Sequence, residues 1–367
     1  MLIGLFVWII NEQRIKATKK HKMKYTKLSN TNIKVSKICL GTMTFGEQNS
    51  EKEGHEQLDF ALDKGVNFID TAEMYSVPGR KETQGSTEKI IGTWIAKGNR
   101  DKIVLATKIA GPSPGLAYIR DNMGFSKVAI HDAIEKSLKR LQTDYIDLYQ
   151  LHWPERKTNC FGVRNYRHFE DEKWEENFAE VIETLNDLIK QGKIRHYGLS
   201  NETPYGILRY LEEAKEKNLA QPVSIQNPYS LLNRTFEIGN AEIAIKKNIG
   251  LLAYSPLAFG ILSGKFLGGK KHPKSRVELY PQMARYNSIE VNNAVIKYAE
   301  IAKKYDVSFT QMALAYVNQQ PFLTSNIIGA TNLTQLKENI ESIDVTLSEE
   351  VNKEIEAVFI SQPNPAP

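Results

Sequence analysis

From residue 38 onward the chain repeats one unit: a short run of apolar residues, then a longer amphipathic stretch closed by glycine or a polar cap. Ile38-Cys39-Leu40-Gly41-Thr42-Met43 reads as a strand, 51–64 as a helix ended by Gly65, and 66–72 as a second strand. A helix over 87–96 leads to a strand at 103–108. An amphipathic helix over 126–141, with Ser126 as its N-cap, leads to a strand at 146–152. A long interruption at 155–174 follows. The rhythm then resumes with a helix over 178–190, a strand over 194–200, a helix over 205–217, a strand over 223–226, a helix near 238–247 and a strand over 251–254. A second long stretch, 255–288, is rich in Gly and Lys. Helices at 290–305 and 311–318 precede the eighth strand, 326–329, and a last helix spans 334–340. Ahead of all this, 25–33 alternates loosely around Ser29-Asn30-Thr31-Asn32, which predicts a hairpin.

Strands separated by helices pair in parallel, because each helix is a crossover. Eight such units in roughly 320 residues match a closed (β/α)8 barrel with an N-terminal β-hairpin and long loops after its fourth and seventh strands. A doubly wound sheet is the alternative. It calls for a glycine-rich dinucleotide turn after the first strand, and Gly41-Thr42-Met43-Thr44-Phe45-Gly46 does not have that pattern. The predicted organisation is an extension at 1–22, one barrel domain at 23–360 and a tail at 361–367.

Composition sharpens this only in places. An apolar content of 41% and a charged content of 25% suit a globule with ample core. The net charge of +5 is concentrated at the start: Arg14, Lys16, Lys19, Lys20 and Lys22 against Glu12 give +4, leaving about +1 for the rest. That excludes a nucleic-acid-binding body. Two cysteines, Cys39 and Cys160, make neither a disulfide framework nor a metal-ligand spacing, which suits a reducing, cytoplasmic setting. The apolar run at 2–10 is far short of the ~20 residues that span a bilayer, and its charges follow it. It reads as a dispensable extension, with no stable membrane insertion; a membrane-surface anchor is the competing reading.

Chemistry enters at the strand ends, where a barrel keeps its site. Asp70 and Tyr75 follow the second strand, Lys108 ends the third and His152 the fourth. Each has a plainer reading: Asp70 as a turn cap, Tyr75 as a packed aromatic, Lys108 as a solvated lysine, His152 as a satisfied core histidine. Together they make a coherent acid. An ammonium beside a phenol lowers its pKa from about 10, a carboxylate holds the ammonium, and a neutral imidazole hydrogen-bonds a carbonyl oxygen. No other His stands at a strand end, so a metal-dependent hydrolase is set aside.

These residues sit in longer segments: residues 65–75; Leu151-His152-Trp153-Pro154-Glu155-Arg156 and its continuation to Gly162; Gly198-Leu199-Ser200-Asn201-Glu202; Ile225-Gln226-Asn227-Pro228-Tyr229; and Leu252-Ala253-Tyr254-Ser255-Pro256-Leu257. From Met23 to its end the chain resembles the aldo-keto reductases, most closely their Tas-like branch. The resemblance implies Tyr75 as proton donor, Lys108 tuning it, Asp70 pairing with Lys108, and His152 orienting the carbonyl. It implies hydride from NADP(H), with Gly41, Thr42, Met43 and Asp70 beneath the cofactor. Ser200, Asn201 and Gln226 would hold the carboxamide, and Tyr254 would stack on the ring. Ser255, Pro256, Leu257, Ala258, Phe259, Gly260, Leu262, Gly264 and Lys265 would wrap the diphosphate. Gly329, Thr331, Gln335, Glu338 and Asn339 would hold the adenosine. A Lys-Ser/Thr pattern used by many relatives for the 2′-phosphate is missing, leaving Lys265 and Arg276 for that role. A small carbonyl substrate is expected against Trp153 and Phe161, with specificity from 44–47, 155–174 and 282–288. Some relatives with this barrel bind nucleotide as regulatory subunits of a membrane partner, a second expectation that the complete tetrad argues against. No feature of the sequence fixes an oligomeric state.

Overall fold

The computed structural model describes residues 22–281 and 284–367, so all of the extension but Lys22, and with it the extension's alternative readings, lies outside the described residues. A hairpin, β1 (Tyr25–Lys27) and β2 (Lys34–Ser36), pairs antiparallel and is followed by eight parallel strands. These are β3 (Ile38–Gly41), β4 (Phe68–Asp70), β5 (Val104–Ile109), β6 (Ile146–Leu151), β7 (Ile194–Ser200), β8 (Ile225–Pro228), β9 (Leu251–Tyr254) and β10 (Leu323–Ile328). They close in sequence order, β10 pairing with β3 through Ile327 opposite Cys39. The (β/α)8 barrel is thus the observed architecture.

Period-two alternation sorts the strand residues into two cores. Ile38, Leu40, Ile69, Leu105 and Tyr149 join the large cluster that the surrounding helices cover. Their neighbours Cys39, Phe68, Val104, Ala106, Leu148 and Leu252 fill a second cluster inside the barrel, and Leu28 and Val35 from the hairpin plug its floor.

The helices begin where their caps predict. α1 (Glu51–Asp63) carries a complete capping box between Ser50 and Glu53, and Gly65 follows it with φ +83°. In α3 (Lys127–Leu141), which follows α2 (Ser86–Ile95), the Ser126 side chain accepts from the Ala129 amide. Between these and the C-terminal helices lie α4 (Phe178–Lys190), α5 (Pro204–Glu216), α6 (Asn240–Lys246) and the single turn α7 (Arg276–Leu279). Then come α8 (Ile289–Lys304), α9 (Phe309–Asn318) and α10 (Leu333–Glu341).

Two expectations need correction. The first barrel strand stops at Gly41, and Thr42 turns away to donate its hydroxyl to the Asp70 carbonyl at 2.8 Å. The helix at 334–340 is not the last: α11 (Glu349–Ser361) follows it, capped by Ser348. Its signal was present, since Val351, Ile355 and Val358 recur at helical spacing and are buried. Beyond it, Pro365 and Ala366 are buried, and the Ala366 amide donates to the Leu232 carbonyl at 3.1 Å. Among the described residues no helix is long and apolar enough to cross a membrane.

Candidate active site

Strand pleat and register decide which side chains meet at the top of the barrel. Asp70, Lys108 and Gln150 each lie two residues beyond an interior apolar residue (Phe68, Ala106 and Leu148), so they point the same way. Asp70 pairs with Ala106, Lys108 with Gln150, and Gln226 with Ser200. Asp70, Gln150 and Gln226 come from alternate strands and form one interior layer, the arrangement that barrel packing favours, here made polar.

This layer is tied together by hydrogen bonds. The Lys108 side chain is fully buried, and its Nζ donates to Asp70 Oδ2 at 2.6 Å, the Thr71 carbonyl at 2.7 Å and Tyr75 Oη at 3.4 Å. Three donors thus meet three acceptors. Asp70 Oδ1 accepts from Gln226 Nε2 at 2.8 Å and Gln150 Nε2 at 3.1 Å. Burial works against the Lys108 ammonium, but Asp70 and then Tyr75 outweigh it and raise its pKa. The solvated-lysine reading is therefore excluded.

Tyr75 shows the reverse balance. Burial raises its pKa, Lys108 pulls it back, and the net value stays above the usual phenol range. The lowering that the sequence predicts is present but is the smaller effect, so the phenol keeps its proton. The Tyr75 ring meets His152 edge-on at 5.8 Å. Burial, and then the Lys108 charge, hold His152 well below the ordinary imidazole value, so the ring is neutral. Its Nδ1 is buried without a hydrogen-bond partner among the described residues, unlike a satisfied core histidine. The structure brings all four tetrad residues together.

Asp70, Tyr75 and His152 floor a cleft of about 1360 Å³, larger than a site for one drug-sized ligand, with Lys108 buried behind them. Gly41 lies at its base because a Cβ there would fall 2.8 Å from the Ile327 side chain; Thr42 and Met43 line the wall beside it. Asn201, at φ +54°, donates its Nδ2 to the His152 carbonyl at 2.8 Å and to Ser200 Oγ at 3.2 Å, while its Oδ1 accepts from Tyr254 Oη at 2.6 Å. Its amide is occupied in positioning neighbours. The Gln226 Nε2 is likewise shared between Asp70 and Gln150, and Gln226 Oε1 has no hydrogen-bond partner among the described residues.

The loop after β9 supplies the next wall. Ser255, Pro256, Leu257, Phe259, Gly260 and Lys265 reach the cleft. Three residues expected there do not. Ala258 and Leu262 are fully buried and pack into the core, and Gly264 is a turn whose Cβ would meet the Phe309 ring at 3.1 Å. Ser263 lines the cleft instead. Phe259 and Gly260 are consecutive left-handed residues, φ +57° and +90°, in a tight turn closed by the Gly260 amide donating to the Leu257 carbonyl at 2.8 Å. Lys265 and Arg276 also line the cleft, and neither has a carboxylate partner among the described residues. Burial lowers the pKa of both, and the Arg276 charge lowers Lys265 further. Two desolvated, unpaired cations beside such a turn fit a phosphate-bearing group.

At the far end, the start of α10 opens on the cleft. Gln335 Oε1 accepts from the Thr331 amide and hydroxyl, each at 3.1 Å. Glu338 accepts from Ser308 Oγ at 2.6 Å, and Asn339 Nδ2 donates to the Gly329 carbonyl at 3.1 Å. On the opposite side Trp153 and Phe161 form an edge-to-face pair at 5.9 Å, and Phe161 is half exposed at 52%. Of residues 44–47 only Thr44 lines the cleft, since Phe45 is buried in the core, and the loop after β6 bounds the mouth; of the 282–288 segment, Gln282 and Met283 lie outside the described residues.

Sequence reasoning missed several residues. Gln150 was readable as the interior position two before His152. Arg156 is invisible without the fold: it pairs with buried Glu202 and lies over the Trp174, Phe178 and Tyr205 rings at 5.9, 5.9 and 5.4 Å, pinning the base of the long loop. Arg285, on the wall opposite Gly162, was also missed.

Comparison with known proteins agrees with this geometry. A family model described as the aldo/keto reductase family matches residues 37–360. The chain is 48% identical over 347 residues to protein tas of Escherichia coli, covering 94% of this chain and all of that one. It is 34% identical to an uncharacterized oxidoreductase, YrpG, of Bacillus subtilis, covering 92% and 96% of the two chains. It is also 31% identical to a probable voltage-gated potassium channel subunit beta of Arabidopsis thaliana, covering 93% and 98%. With a closed barrel, a polar layer at its top and a family match over most of its length, the chain belongs to the aldo/keto reductase family and is a Tas-like oxidoreductase.

Proposed function

We propose that the protein reduces a small aldehyde or ketone with NADPH. The observation that carries this reading is the Lys108 ammonium, bound to Asp70 and Tyr75 together beside a neutral His152. NADPH, when bound, supplies the hydride. The chain's own residues supply the rest: His152 orients the carbonyl oxygen, Tyr75 Oη donates the proton to it, and Lys108 steadies the phenolate that remains. Asp70, held by Gln150 and Gln226, keeps the ammonium in place. Ser200 Oγ and Gln226 Oε1 are the groups left to meet a carboxamide, and Tyr254, fixed by Asn201, offers a ring face. Free thiols at Cys39 and Cys160 suit a cytoplasmic location. The resemblance to a channel subunit keeps a nucleotide-binding regulatory role as the alternative. Following NADPH absorbance across an aldehyde and ketone panel separates the two: oxidation with at least one carbonyl is expected, and none with any would overturn the enzymatic reading.

The pH profile follows from the two shifts. His152, lowered, is already neutral at and above pH 7 and gives no inflection there. Tyr75, raised, keeps its proton until the pH rises above about 10, where the acid is lost. The kcat/KM for reduction should therefore be level from pH 7 to 9 and fall only beyond. A loss centred near pH 6.5–7 would contradict both assignments.

Cofactor choice rests on the two unpaired cations. A 2′-phosphate needs donors that NADH would leave unused. One charge-assisted hydrogen bond is worth roughly 1.5–3 kcal/mol, or about ten- to a hundredfold in affinity. Arg276→Ala should raise the dissociation constant for NADPH by that factor and leave NADH nearly unchanged, while Lys265→Ala weakens both. Fluorescence titration of each cofactor measures this. Equal losses in Arg276→Ala would put that residue on the diphosphate, which its electrostatic reach to Tyr75 also permits.

A further inference from the structure

We infer that the preferred carbonyl substrate carries a carboxylate beyond an apolar spacer, and that Arg285, assisted by Arg167, receives it. This deepens the reductase reading and rests on it. From Tyr75 a run of rings leads outward along one wall: His152 at 5.8 Å, Trp153 at 4.8 Å from His152, and Phe161 at 5.9 Å from Trp153. Apolar, aromatic walls of this kind favour a flat apolar body. The run ends at a cation. Gly162, at φ +95°, brings its backbone so close to Arg285 that a Cβ would stand 3.4 Å from Arg285 Nε.

Arg285 is half-buried and lines the cleft. Its polar neighbours there are the hydroxyls of Tyr254 and Tyr286, and its charge reaches Cys160 on the facing loop. Arg167 lines the same mouth from the loop after β6. Among the described residues neither arginine has a carboxylate partner. Glu155, on the cleft wall, and Glu202 are engaged elsewhere, while the Pro367 carbonyl oxygen stands 3.9 Å from the same Cβ position on Gly162. Glu155 accepts from the Phe125 amide at 2.8 Å and Asn177 Nδ2 at 2.7 Å, and Glu202 is paired with Arg156. The other cleft arginine in the loop after β6, Arg156, is thus neutralised while these two are not. A guanidinium whose partners are phenols keeps most of its donors for a ligand, and a planar carboxylate matches its fork. Lys265 and Arg276, the cations proposed for the phosphates, stand earlier in the same stretch after β9: Arg276 lies over the Phe259 ring at 4.8 Å, and Phe259 meets Tyr286 edge-on at 5.0 Å, so Arg276 and Arg285 flank one aromatic pair.

The test uses unreactive probes, so it does not depend on turnover. 4-Methylbenzoate and its neutral isostere 4-methylbenzamide are titrated against the full chain, saturated with NADP⁺, by tryptophan fluorescence at low salt. The acid should bind about tenfold tighter or better, and the preference should shrink as salt rises. Arg285→Gln should remove most of the preference and Arg167→Gln part of it. The affinity for the amide, which reports an intact cleft, should stay unchanged. Equal affinity for acid and amide in the wild type overturns the inference, as does a preference that survives Arg285→Gln. Loss of acid and amide alike in Arg285→Gln would overturn the assignment of Arg285. A carboxylate preference lost in Arg285→Gln, without NADPH oxidation by any aldehyde, would sustain the carboxylate site at Arg285 but overturn its place in carbonyl reduction together with the reductase reading.

Discussion

Replacing Tyr75 with phenylalanine should abolish most carbonyl reduction while leaving the fold and cofactor affinity in place. The phenol is the only group of the tetrad that holds a transferable proton next to the open cleft at neutral pH: Lys108 is buried and fully donated, Asp70 is fully accepted upon, and His152 is neutral. Positioned acids contribute about 10²–10⁴-fold, and kcat should fall by that order. Its ring remains in the variant, so packing against His152 persists. Single-turnover rates with NADPH, together with NADPH binding, measure the two properties separately. Turnover near wild type in Tyr75→Phe would remove the proton-donor role from this residue, whatever the identity of the substrate.

The largest stability effect is expected beneath the site, at Glu73. This residue follows the strand that carries Asp70 and is 1% exposed. Its amide donates to the Lys108 carbonyl at 3.1 Å, and its Oε1 accepts from the Ala110 amide at 2.6 Å. Its Oε2 pairs with Arg120, also buried. Burial raises the Glu73 pKa and Arg120 only partly offsets it, so the pair is a costly structure that stands because both charges are present. Glu73→Ala leaves a buried guanidinium whose remaining carboxylate is the part-exposed Asp132, 3.5 Å from its Nε and shared with Lys136. A loss of about 3–5 kcal/mol is expected, read from urea unfolding. Glu73→Leu combined with Arg120→Met should cost well below the sum of the single changes, because no charge is stranded. A single-variant loss under about 1 kcal/mol, or strict additivity, would show that the two residues are not coupled.

The rhythm of the chain was legible because each strand and helix is a local event. Ser50, Ser126, Ser288 and Ser308 cap helices by reaching their own amides three residues on, and such contacts need no distant partner. The tetrad was legible for a related reason: residues at the ends of barrel strands converge whichever barrel they belong to. Where local signal was thin, expectation slipped. Ala258 and Leu262 sit in a loop whose twist depends on left-handed Phe259 and Gly260, and that twist sends the two apolar side chains into the core.

By itself, then, the sequence determined the order of elements, the period-two alternation that sends Asp70, Lys108 and Gln150 inward, and the identity of the four groups at the strand ends. Tertiary structure alone decided how those groups behave. Whether Tyr75 is made more or less acidic turns on the burial of its hydroxyl against its 3.4 Å contact with Lys108, and burial prevails. Whether an arginine is available turns on which carboxylate lies beside it: Arg156 finds Glu202, while Arg276 and Arg285 find none among the described residues. Solvation and through-space charge depend on every neighbour within several ångströms, and those neighbours come from strands and loops a hundred residues apart.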